Sequence, residues 1–540
     1  MWVNGSTNPI SQVAHPVRYR VYDLSVLRAD IQGHKPGTKT SPGSAVPERS
    51  EDDPAELIVS VNEDNDDGGP AGQKDNRDTT ISANDNDIVQ ITLKRLLPAS
   101  VTEGTLELTV TPASALRVFN PSGTALLSDY SVDLASPVGD LVGLVSGDVS
   151  IFVEGINYQE DVMLRLAYKD TTGTEFCYDE VHLHVINPTL IPDYNHDRAI
   201  NTLDENQATP STPFRFWIND DDDDGDISDG NNDLPGQSGG NYVNNQVDGR
   251  SDLLDFFPVW FDFHETLTIL PPGSGIEYKL RQDDGALRFV YTDLTKDQAG
   301  AFLTTELQTY GPVFTSYAHE AFTRQLSSIG IDLTPFFLNK IVINPNKGAL
   351  LIEGVGPSSS VAPLILEVWE NGSKVSETEL SLSISGVEDM FTHVNLVDDL
   401  DQPEQQVVTV PDRFTRVGQE PSNLPDSLNK GDNFVFVHGY NVDQTAARGW
   451  HAEIFKRLYQ SGSRAKFTGV TWHGNTGGNY HKAVINAMVT SENLASQLSF
   501  LVGEVTIGAH SLGNMMVSEA IANKRVQPGP VLHVQCGGSD

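Results

Sequence analysis

An internal repeat constrains the fold of this chain more than any other feature. Residues 151–185 (IFVEGINYQEDVMLRLAYKDTTGTEFCYDEVHLHV) align without gaps to residues 350–384 (LLIEGVGPSSSVAPLILEVWENGSKVSETELSLSI). Glu154 matches Glu353, and the alternating VHLHV matches LSLSI. A repeat of this length indicates that one supersecondary unit occurs twice, so both copies should have the same fold.

Shorter matches precede both copies in the same order. ALRVF at residues 115–119 corresponds to ALRFV at 286–290, and VNEDNDDG at 61–68 corresponds to INDDDDDG at 218–225. Between them lie short runs with period-two alternation, such as LTVTP and VMLRLAY, separated by Gly, Asn and Asp turns. The pattern predicts two all-β, sandwich-like modules, each preceded by an acidic loop. The second module is predicted to insert a helix around residues 315–329.

Composition limits the class of partner. The 540 residues include 74 Asp and Glu against 35 Lys and Arg, a formal net charge of −39. That charge disfavours nucleic acid and anionic membrane surfaces as partners. The two cysteines exclude a disulfide scaffold, and no apolar run is long enough for a transmembrane segment. The opening residues 1–20 lack the apolar core that a signal peptide would have. The length predicts several domains.

Composition shifts place the predicted boundaries. They give an N-terminal segment (1–57), β-module 1 with its acidic loop (58–187), a calcium-loop linker (188–250), β-module 2 (251–387), a polar linker (388–430) and a last domain (431–540).

From residue 431 the pattern changes to alternating buried strands and amphipathic helices. FVFVHGY and KFTGVTWHG are predicted strands, and ARGWHAEIFKRLYQSG is a predicted helix. VTIGAHSLGNMMVSEAIANK is predicted to run from a strand through a tight turn into a helix. This alternation is typical of a parallel sheet covered by helices.

The last of these segments resembles the nucleophile elbow of the α/β-hydrolase family, which includes serine lipases and esterases. Ala509, His510, Ser511, Leu512 and Gly513 stand at the G-x-S-x-G positions, with Ala in place of the first Gly. His438 and Gly439 resemble the family's oxyanion loop. The resemblance implies that Ser511 is the catalytic nucleophile and that the N–H groups of Tyr440 and Leu512 hold the oxyanion. The fold class expected is therefore multidomain: two repeated all-β modules followed by a truncated α/β-hydrolase domain.

The resemblance also implies that the catalytic triad is incomplete in this sequence. In the family the acid and then the histidine follow the nucleophile. The sole downstream histidine, His533, lies inside a predicted strand, and Asp540 ends the sequence. His438 is predicted to be structural rather than the base. The alternatives are a fragment that lacks its base, a relic that keeps the elbow only as structure, or another parallel sheet in which Ser511 merely caps a helix.

Two acidic loops resemble EF-hand and dockerin-type calcium loops, which supply oxygen ligands at fixed spacing. The expected ligands in the first loop are Asp193, Asn195, Asp197, Ala199, Asn201 and Asp204, with Arg198 where Gly is usual. Those in the second loop are Asp220, Asp222, Asp224, Asp226, Ser228 and Asn231. The resemblance implies structural Ca²⁺. The alternative is a solvated, Asp-rich turn.

Two functions follow from these patterns. The first is a serine hydrolase that acts on carboxylic esters, with an ester or lipid-like substrate; thioesters and amides stay open. The second is a calcium-dependent surface or adhesion protein whose β-modules bind an unknown ligand and whose hydrolase domain is degenerate. Weak exposed calcium loops suit an extracellular setting, so a secreted or cell-surface bacterial protein is expected.

Overall fold

A computed structural model describes residues 28–33, 57–60, 89–97, 100–219, 253–273, 275–304, 323–359, 362–397, 431–522 and 531–534. The chain divides into two compact units. The first contains residues 1–189, 263–279 and 366–379, and the second contains residues 190–262, 280–365 and 380–540. No helix in the described ranges combines the length and apolarity needed to cross a membrane.

The first β-module has two sheets with a common hydrophobic core. Its first sheet has the strand order β1-β3-β7-β5 and is antiparallel throughout: β1 (Arg28–Gly33), β3 (Val89–Leu96), β7 (Val149–Gly155) and β5 (Leu116–Phe119). Its second sheet has the order β2-β9-β8-β4-β6: β2 (Leu57–Ser60), β9 (Glu175–Ile186), β8 (Gln159–Lys169), β4 (Thr105–Thr111) and β6 (Ser131–Asp133). Alternating residues of these strands, such as Leu164 and Leu166 of β8, are fully buried in that core because one face of each strand points inward.

The repeated segments form strands in the same order. One sheet has the order β10-β12-β17-β14-β15: β10 (Thr189–Pro192), β12 (Phe256–Asp262), β17 (Ala349–Gly354), β14 (Leu287–Tyr291) and β15 (Arg324–Gln325). Another has the order β16-β13-β18-β19: β16 (Ile331–Asp332), β13 (Ile276–Arg281), β18 (Leu364–Glu370) and β19 (Ser373–Leu380). The strands β3-β7-β5 and β12-β17-β14 thus correspond, as do β9-β8-β4 and β19-β18-β13. Residues 323–329, within the predicted helix insertion, contain β15 instead.

A buried charge recurs at the matched positions. Arg117 of β5 lies opposite Glu154 of β7, and Arg288 of β14 lies opposite Glu353 of β17, in the same antiparallel register. Arg117 forms an ion pair of 3.2 Å with Glu154, whose side chain is 1% exposed. The Glu353 carboxylate is equally buried and accepts hydrogen bonds from Thr323 and Asn219. Each buried carboxylate therefore has partners, as the cost of burying a charge requires.

The C-terminal part of the chain contains a five-stranded, fully parallel sheet with the order β21-β23-β22-β24-β25. Its strands are β21 (Thr392–Asn395), β22 (Asn433–Val437), β23 (Lys466–Thr471), β24 (Val505–His510) and β25 (Val531–Val534). Two further strands, β11 (Phe214–Trp217) and β20 (Leu382–Ser385), form a parallel pair. The helices are α1 (His264–Ile269), α2 (Ala301–Thr304), α3 (Pro335–Ile343), α4 (Gln444–Gln460), α5 (Tyr480–Leu498) and α6 (Gly513–Ala522).

Local sequence explains where α4 and α5 begin. The Asp443 carboxylate accepts a hydrogen bond from the Ala446 N–H, and the Asn479 side chain accepts one from the Lys482 N–H. These side chains satisfy N–H groups that the first helical turn leaves without a partner.

The predicted fold class is wrong in its last part. The described chain is rich in antiparallel β-sheet, and its parallel sheet is not an appended domain that follows two finished modules. It lies in one compact unit with residues 190–262 and 280–365. The cause is the second face of α4, where Phe455 and Tyr459 pack against Trp217 of β11. Local periodicity could not reveal this packing, because it reports which face of a helix is apolar and not which element covers that face.

Candidate functional site

The site predicted around Ser511 lies at the carboxyl ends of β22 and β24. These strands are neighbours, with Val437 paired to Ala509. From β22 the chain continues to β23 on one side, while β24 lies on the other. Loops that leave a parallel sheet on opposite sides of such a point open a crevice at its carboxyl edge. The sheet order therefore brings the segments after Val437 and after His510 together.

Ser511 occupies a strained turn between β24 and α6. Its φ is 47°, in the left-handed region that residues with a Cβ rarely adopt, and its side chain is exposed. The Ser511 carbonyl accepts a hydrogen bond from the Asn514 N–H at 3.0 Å. The turn thus presents the hydroxyl at the amino end of α6, where unpaired N–H groups favour negative charge.

Two glycines allow the backbone segments to approach one another. A Cβ on Gly439 would lie 3.0 Å from Ser511 Cβ and 2.6 Å from His510 Nδ1. A Cβ on Gly513 would lie 2.5 Å from the His438 carbonyl oxygen. At each of the two positions a Cβ would lie closer than 3.0 Å to another atom, so only Gly fits without a shift, and the loop after β22 touches the Ser511 turn directly.

The two amides predicted to hold an oxyanion flank this contact. Neither the Tyr440 N–H nor the Leu512 N–H donates a hydrogen bond to another described residue. The Leu512 side chain is buried in the core of the parallel sheet, which fixes its backbone at the turn. Asn441, with φ of 59°, donates its N–H to the Gly474 carbonyl and closes the loop after Gly439.

His438 holds this loop in place. Its side chain is fully buried and lies parallel to the Trp472 ring at 5.6 Å between ring centroids. Nε2 accepts a hydrogen bond from the Trp472 N–H, and Nδ1 lies 3.0 Å from the Gly439 carbonyl oxygen. Burial lowers the pKa of His438 to about 4, so the ring is neutral at pH 7. With both ring nitrogens engaged, His438 positions Gly439 and is not placed as a base.

Other histidines near the turn also lack a contact with the Ser511 hydroxyl. The His510 ring packs against Trp450 at 4.9 Å, and its Nδ1 is buried against Gly439. The His473 backbone carbonyl accepts a hydrogen bond from Asn486, which anchors the loop after β23 to α5. His533 pairs with Ala509 through the backbone, whereas its side chain and Asp540 lie outside what the structure describes.

Sequence reasoning missed one residue at this site. Asn514, in the first turn of α6, donates from Nδ2 to the Ala509 carbonyl at 3.0 Å and to the Ser511 carbonyl at 3.2 Å. The available signal was an amide side chain three residues after the strained Ser, where short polar side chains often bond the local backbone.

The first acidic loop folds around its own carboxylates. Asp193 accepts hydrogen bonds from the N–H groups of Asp197 and Arg198, and Asp204 accepts them from the N–H groups of Asn195 and Asn201. Asp197 likewise accepts from the Ala199 N–H. The loop therefore satisfies its buried acids with backbone amides, which are the partners that the closed turn provides.

Structural Ca²⁺ in this loop stays a prediction. Within the described ranges, no group of three or more His, Cys, Asp and Glu side chains is arranged to hold a metal ion. Both oxygens of Asp193 and of Asp204 accept N–H groups from the loop backbone. Asp220, Asp222, Asp224, Asp226, Ser228 and Asn231 lie outside the described residues. An effect of calcium on the melting temperature stays a prediction.

The loop instead docks on the end of α4. His196 is fully buried, and its ring centroid lies 4.6 Å from that of Tyr459. Arg464, in the segment after α4, donates to the Asn195 carbonyl, and its guanidinium lies over the Tyr459 ring at 4.2 Å. These contacts join the loop to the helix by aromatic packing and a cation–π interaction.

Asp193 gives this loop a predicted pH dependence. Burial, together with the charge of the nearby Asp204, raises the pKa of Asp193 to about 7. The folded state then binds a proton that the unfolded state releases near its ordinary pKa, so stability is present at acidic pH and is lost as the pH rises toward 7. We expect Asp193→Asn to remove this decline, a slope of up to about 1.4 kcal/mol per pH unit. Urea unfolding of both proteins between pH 5 and pH 8 measures it, and parallel pH curves would contradict the assignment.

Comparison with known proteins identifies no family. No protein-family model matches the chain, and no curated protein matches it. Matches among solved structures include the D00-D0 domain of intimin (6% identity, 61% of this chain and 95% of that chain, TM-score 0.19). They also include domains 5-6 of the S-layer protein SbsC (6%, 61% and 93%, TM-score 0.12). A third is the serine-rich repeat protein Srr2 from Streptococcus agalactiae (10%, 66% and 92%, TM-score 0.14). At these TM-scores the matches establish no shared fold.

The assignment to the α/β-hydrolase family is corrected accordingly. No protein-family model matches the chain, so no hydrolase family is matched. The physical reason is that a strand, a tight turn and a helix with Ser at the turn require only a parallel sheet and one left-handed residue, which unrelated folds can supply. The Ser511 turn is therefore a local geometry whose chemistry has to be argued from its own atoms.

Proposed function

We propose that Ser511 is a nucleophile that takes an acyl group from carboxylic esters. One observation carries the proposal: an exposed Ser stands in a left-handed turn at the carboxyl end of a central parallel strand, with the Gly439 backbone against it. Strained residues of this kind concentrate at functional sites, because the surrounding structure must maintain them. Nothing in the packing of Ser511 itself requires the strain, since its side chain is exposed.

The surroundings suit the charge that develops during acyl transfer. When Ser511 Oγ attacks the ester carbonyl carbon, the C=O electrons move to oxygen and the hydroxyl proton passes to water. The C=O then re-forms as the C–O bond to the alcohol breaks, and the alcohol leaves with a proton from water. The Tyr440 and Leu512 amides flank the turn without described partners, so they are available to donate to that oxygen. Loss of one such donor typically slows reaction by about 10²–10³-fold. Tyr440 and Tyr480, with ring centroids 5.2 Å apart, offer apolar contact beside the loop.

The general base of such a site is not placed among the described residues. His438 is engaged by Trp472 and Gly439, and no described histidine forms a hydrogen bond with the Ser511 hydroxyl. Without a base the hydroxyl is a weak nucleophile, and ester turnover is expected to be slower by several orders of magnitude than with a complete triad. A reagent with a good leaving group is the appropriate probe, because it demands less of the nucleophile.

Covalent labelling by a fluorophosphonate tests the proposal. Wild-type protein is expected to acquire one adduct on Ser511, identified by peptide mass spectrometry, and Ser511→Ala should acquire none. Gly439→Ala should label at least about tenfold more slowly, because its Cβ would clash with His510 and Ser511 and displace the loop.

Gly356→Ala is the matched control, since a Cβ there would meet no atom within 4 Å. It should label at the wild-type rate. Folded wild-type protein that resists labelling, or labelling that persists in Ser511→Ala, would rule out Ser511 as the nucleophile.

A surface-binding function for the β-modules is the competing proposal. Phe176 and Tyr178 are two residues apart on β9, and each is half exposed. The Arg165 guanidinium lies 3.8 Å from the centre of the Tyr178 ring. Exposed aromatic side chains beside a cation are typical of binding surfaces. This function places the protein outside the cell or on its surface, and folded protein that never labels at Ser511 would favour it.

A further inference from the structure

Asn514 holds the strained turn from the side of α6. Its side-chain amide donates to the Ala509 carbonyl at 3.0 Å and to the Ser511 carbonyl at 3.2 Å, while its N–H donates to the Ser511 carbonyl at 3.0 Å. Asn514 therefore forms hydrogen bonds both to the strand backbone at Ala509, shortly before Ser511, and to the carbonyl of Ser511 itself. The side chain is part-buried, so water competes only partly for these bonds.

Such a bridge is needed because the left-handed conformation is unfavourable. A residue with a Cβ is disfavoured at positive φ and persists there only where other contacts over-determine it. The close approach of Gly513 to Val437 and His438 fixes one end of the turn. The Asn514 side-chain amide fixes the other end of the turn, because it donates to the carbonyls of Ala509 and Ser511, which come before and after the Ser511 N–H.

We propose that Asn514 is a positioning residue for Ser511. It keeps the Ser511 backbone left-handed and so keeps the hydroxyl between the loop at Gly439 and the amino end of α6. Only the expected change in labelling rate rests on the nucleophilic role proposed for Ser511. The structural consequence, the φ of Ser511, is independent of that role.

Asn514→Asp is the informative variant. Asp has the same shape as Asn but no side-chain N–H, so its carboxylate oxygens would face the carbonyl oxygens of Ala509 and Ser511. A negative charge in the first turn of a helix is otherwise favourable, so α6 should remain folded. The variant thus removes the bridge without removing volume or the helix.

Asn433 offers a matched control in the same sheet. Its Nδ2 donates to the backbone carbonyls of Val502, at 2.9 Å, and Glu504, at 3.3 Å. The chemistry is the same as that of Asn514, but Asn433 begins β22 and therefore lies at the opposite edge of the parallel sheet. Asn433 is also more deeply buried, so Asn433→Asp should lower stability at least as much as Asn514→Asp.

The experiment compares the two variants with wild-type protein in fluorophosphonate labelling, thermal melting and crystal structures. We expect Asn514→Asp to label at least tenfold more slowly while it remains folded, and Asn433→Asp to label within twofold of wild type despite an equal or larger fall in melting temperature. The crystal structure of Asn514→Asp should show Ser511 with negative φ.

Each outcome decides one of the two ideas. The positioning role is overturned if folded Asn514→Asp labels at the same rate as wild-type protein, or if Ser511 keeps a positive φ in that variant. Labelling of the wild-type protein then still supports Ser511 as the nucleophile. If wild-type protein does not label, the proposed function falls, and the φ of Ser511 in Asn514→Asp alone supports or overturns the positioning role.

Discussion

Replacing Lys456 by Met is expected to destabilise the protein by about 3–5 kcal/mol at pH 7, the usual cost of leaving a buried charge without its partner. The Lys456 ammonium lies 2.8 Å from the Asp255 carboxylate, and both side chains are fully buried. Trp217 also donates its indole N–H to Asp255. Burial raises the pKa of Asp255, and the Lys456 charge opposes that shift. Urea unfolding of the two proteins measures the loss.

A second variant separates the charge from the packing. Asp255→Leu combined with Lys456→Met should recover most of the stability, because two apolar side chains need no partner. In Lys456→Met alone the loss should be smaller at pH 5 than at pH 8, since Asp255 can then bind a proton. Equal losses in the single and double variants would show that the ion pair does not dominate at this position.

Acid is expected to destabilise the protein through histidines that fold in the neutral state. His196, His393, His438 and His451 are at most 2% exposed. Burial lowers the pKa of His393 to about 4 and that of His451 well below its ordinary value. Because these folded pKa values are depressed, their contribution to stability is complete above the unfolded pKa of about 6.5 and is lost as the pH falls. Asp193 has the opposite effect, because its raised folded pKa lets the folded state bind one proton and gain stability as the pH falls.

His451 allows the effect of one group to be measured. It lies on α4 between His393 and His438, at 5.4 and 6.4 Å between ring centroids, and both neighbours lower its pKa further once they are charged. The Glu388 carboxylate lies 3.7 Å from His393 Nε2 and accepts a hydrogen bond from the Arg448 guanidinium. We expect His451→Leu to gain about 2 kcal/mol relative to wild type between pH 7.5 and pH 5, the linkage value for one proton.

The test uses the difference in the free energy of unfolding between two pH values, because a change in packing alters both values equally and cancels. Calorimetric or urea unfolding at pH 7.5, 6 and 5 gives the two stability curves. Curves that stay parallel would show that His451 is already protonated in the folded protein or that its ring is accessible to water.

The local features of the candidate site follow from the residues alone. Alternation predicted the strands β22, β23 and β24 and the helices between them, and the pattern of the segment around Ser511 predicted a tight turn between a strand and a helix. Gly439 and Gly513 were named from the resemblance to the oxyanion loop and the nucleophile elbow, and the structure places both where a Cβ would come within 3.0 Å of another atom. Asn514 was not identified, because an Asn in a first helical turn gives the same sequence signal whether it caps the helix or bridges a neighbouring strand.

The repeat, the acid loops and the strand periodicity are properties of the sequence itself, since side-chain alternation and turn chemistry act over a few residues. Pairing between distant segments was decided by the tertiary structure. Helix α4 has two apolar faces, and only the folded chain shows that one covers the parallel sheet while Phe455, Lys456 and Tyr459 meet Trp217 and Asp255. The same holds for the loop at Asp193, whose carboxylates accept backbone amides once His196 is buried against Tyr459. Burial and charge pairing depend on which surfaces meet in space, and the order of residues along the chain does not contain that information in any local form.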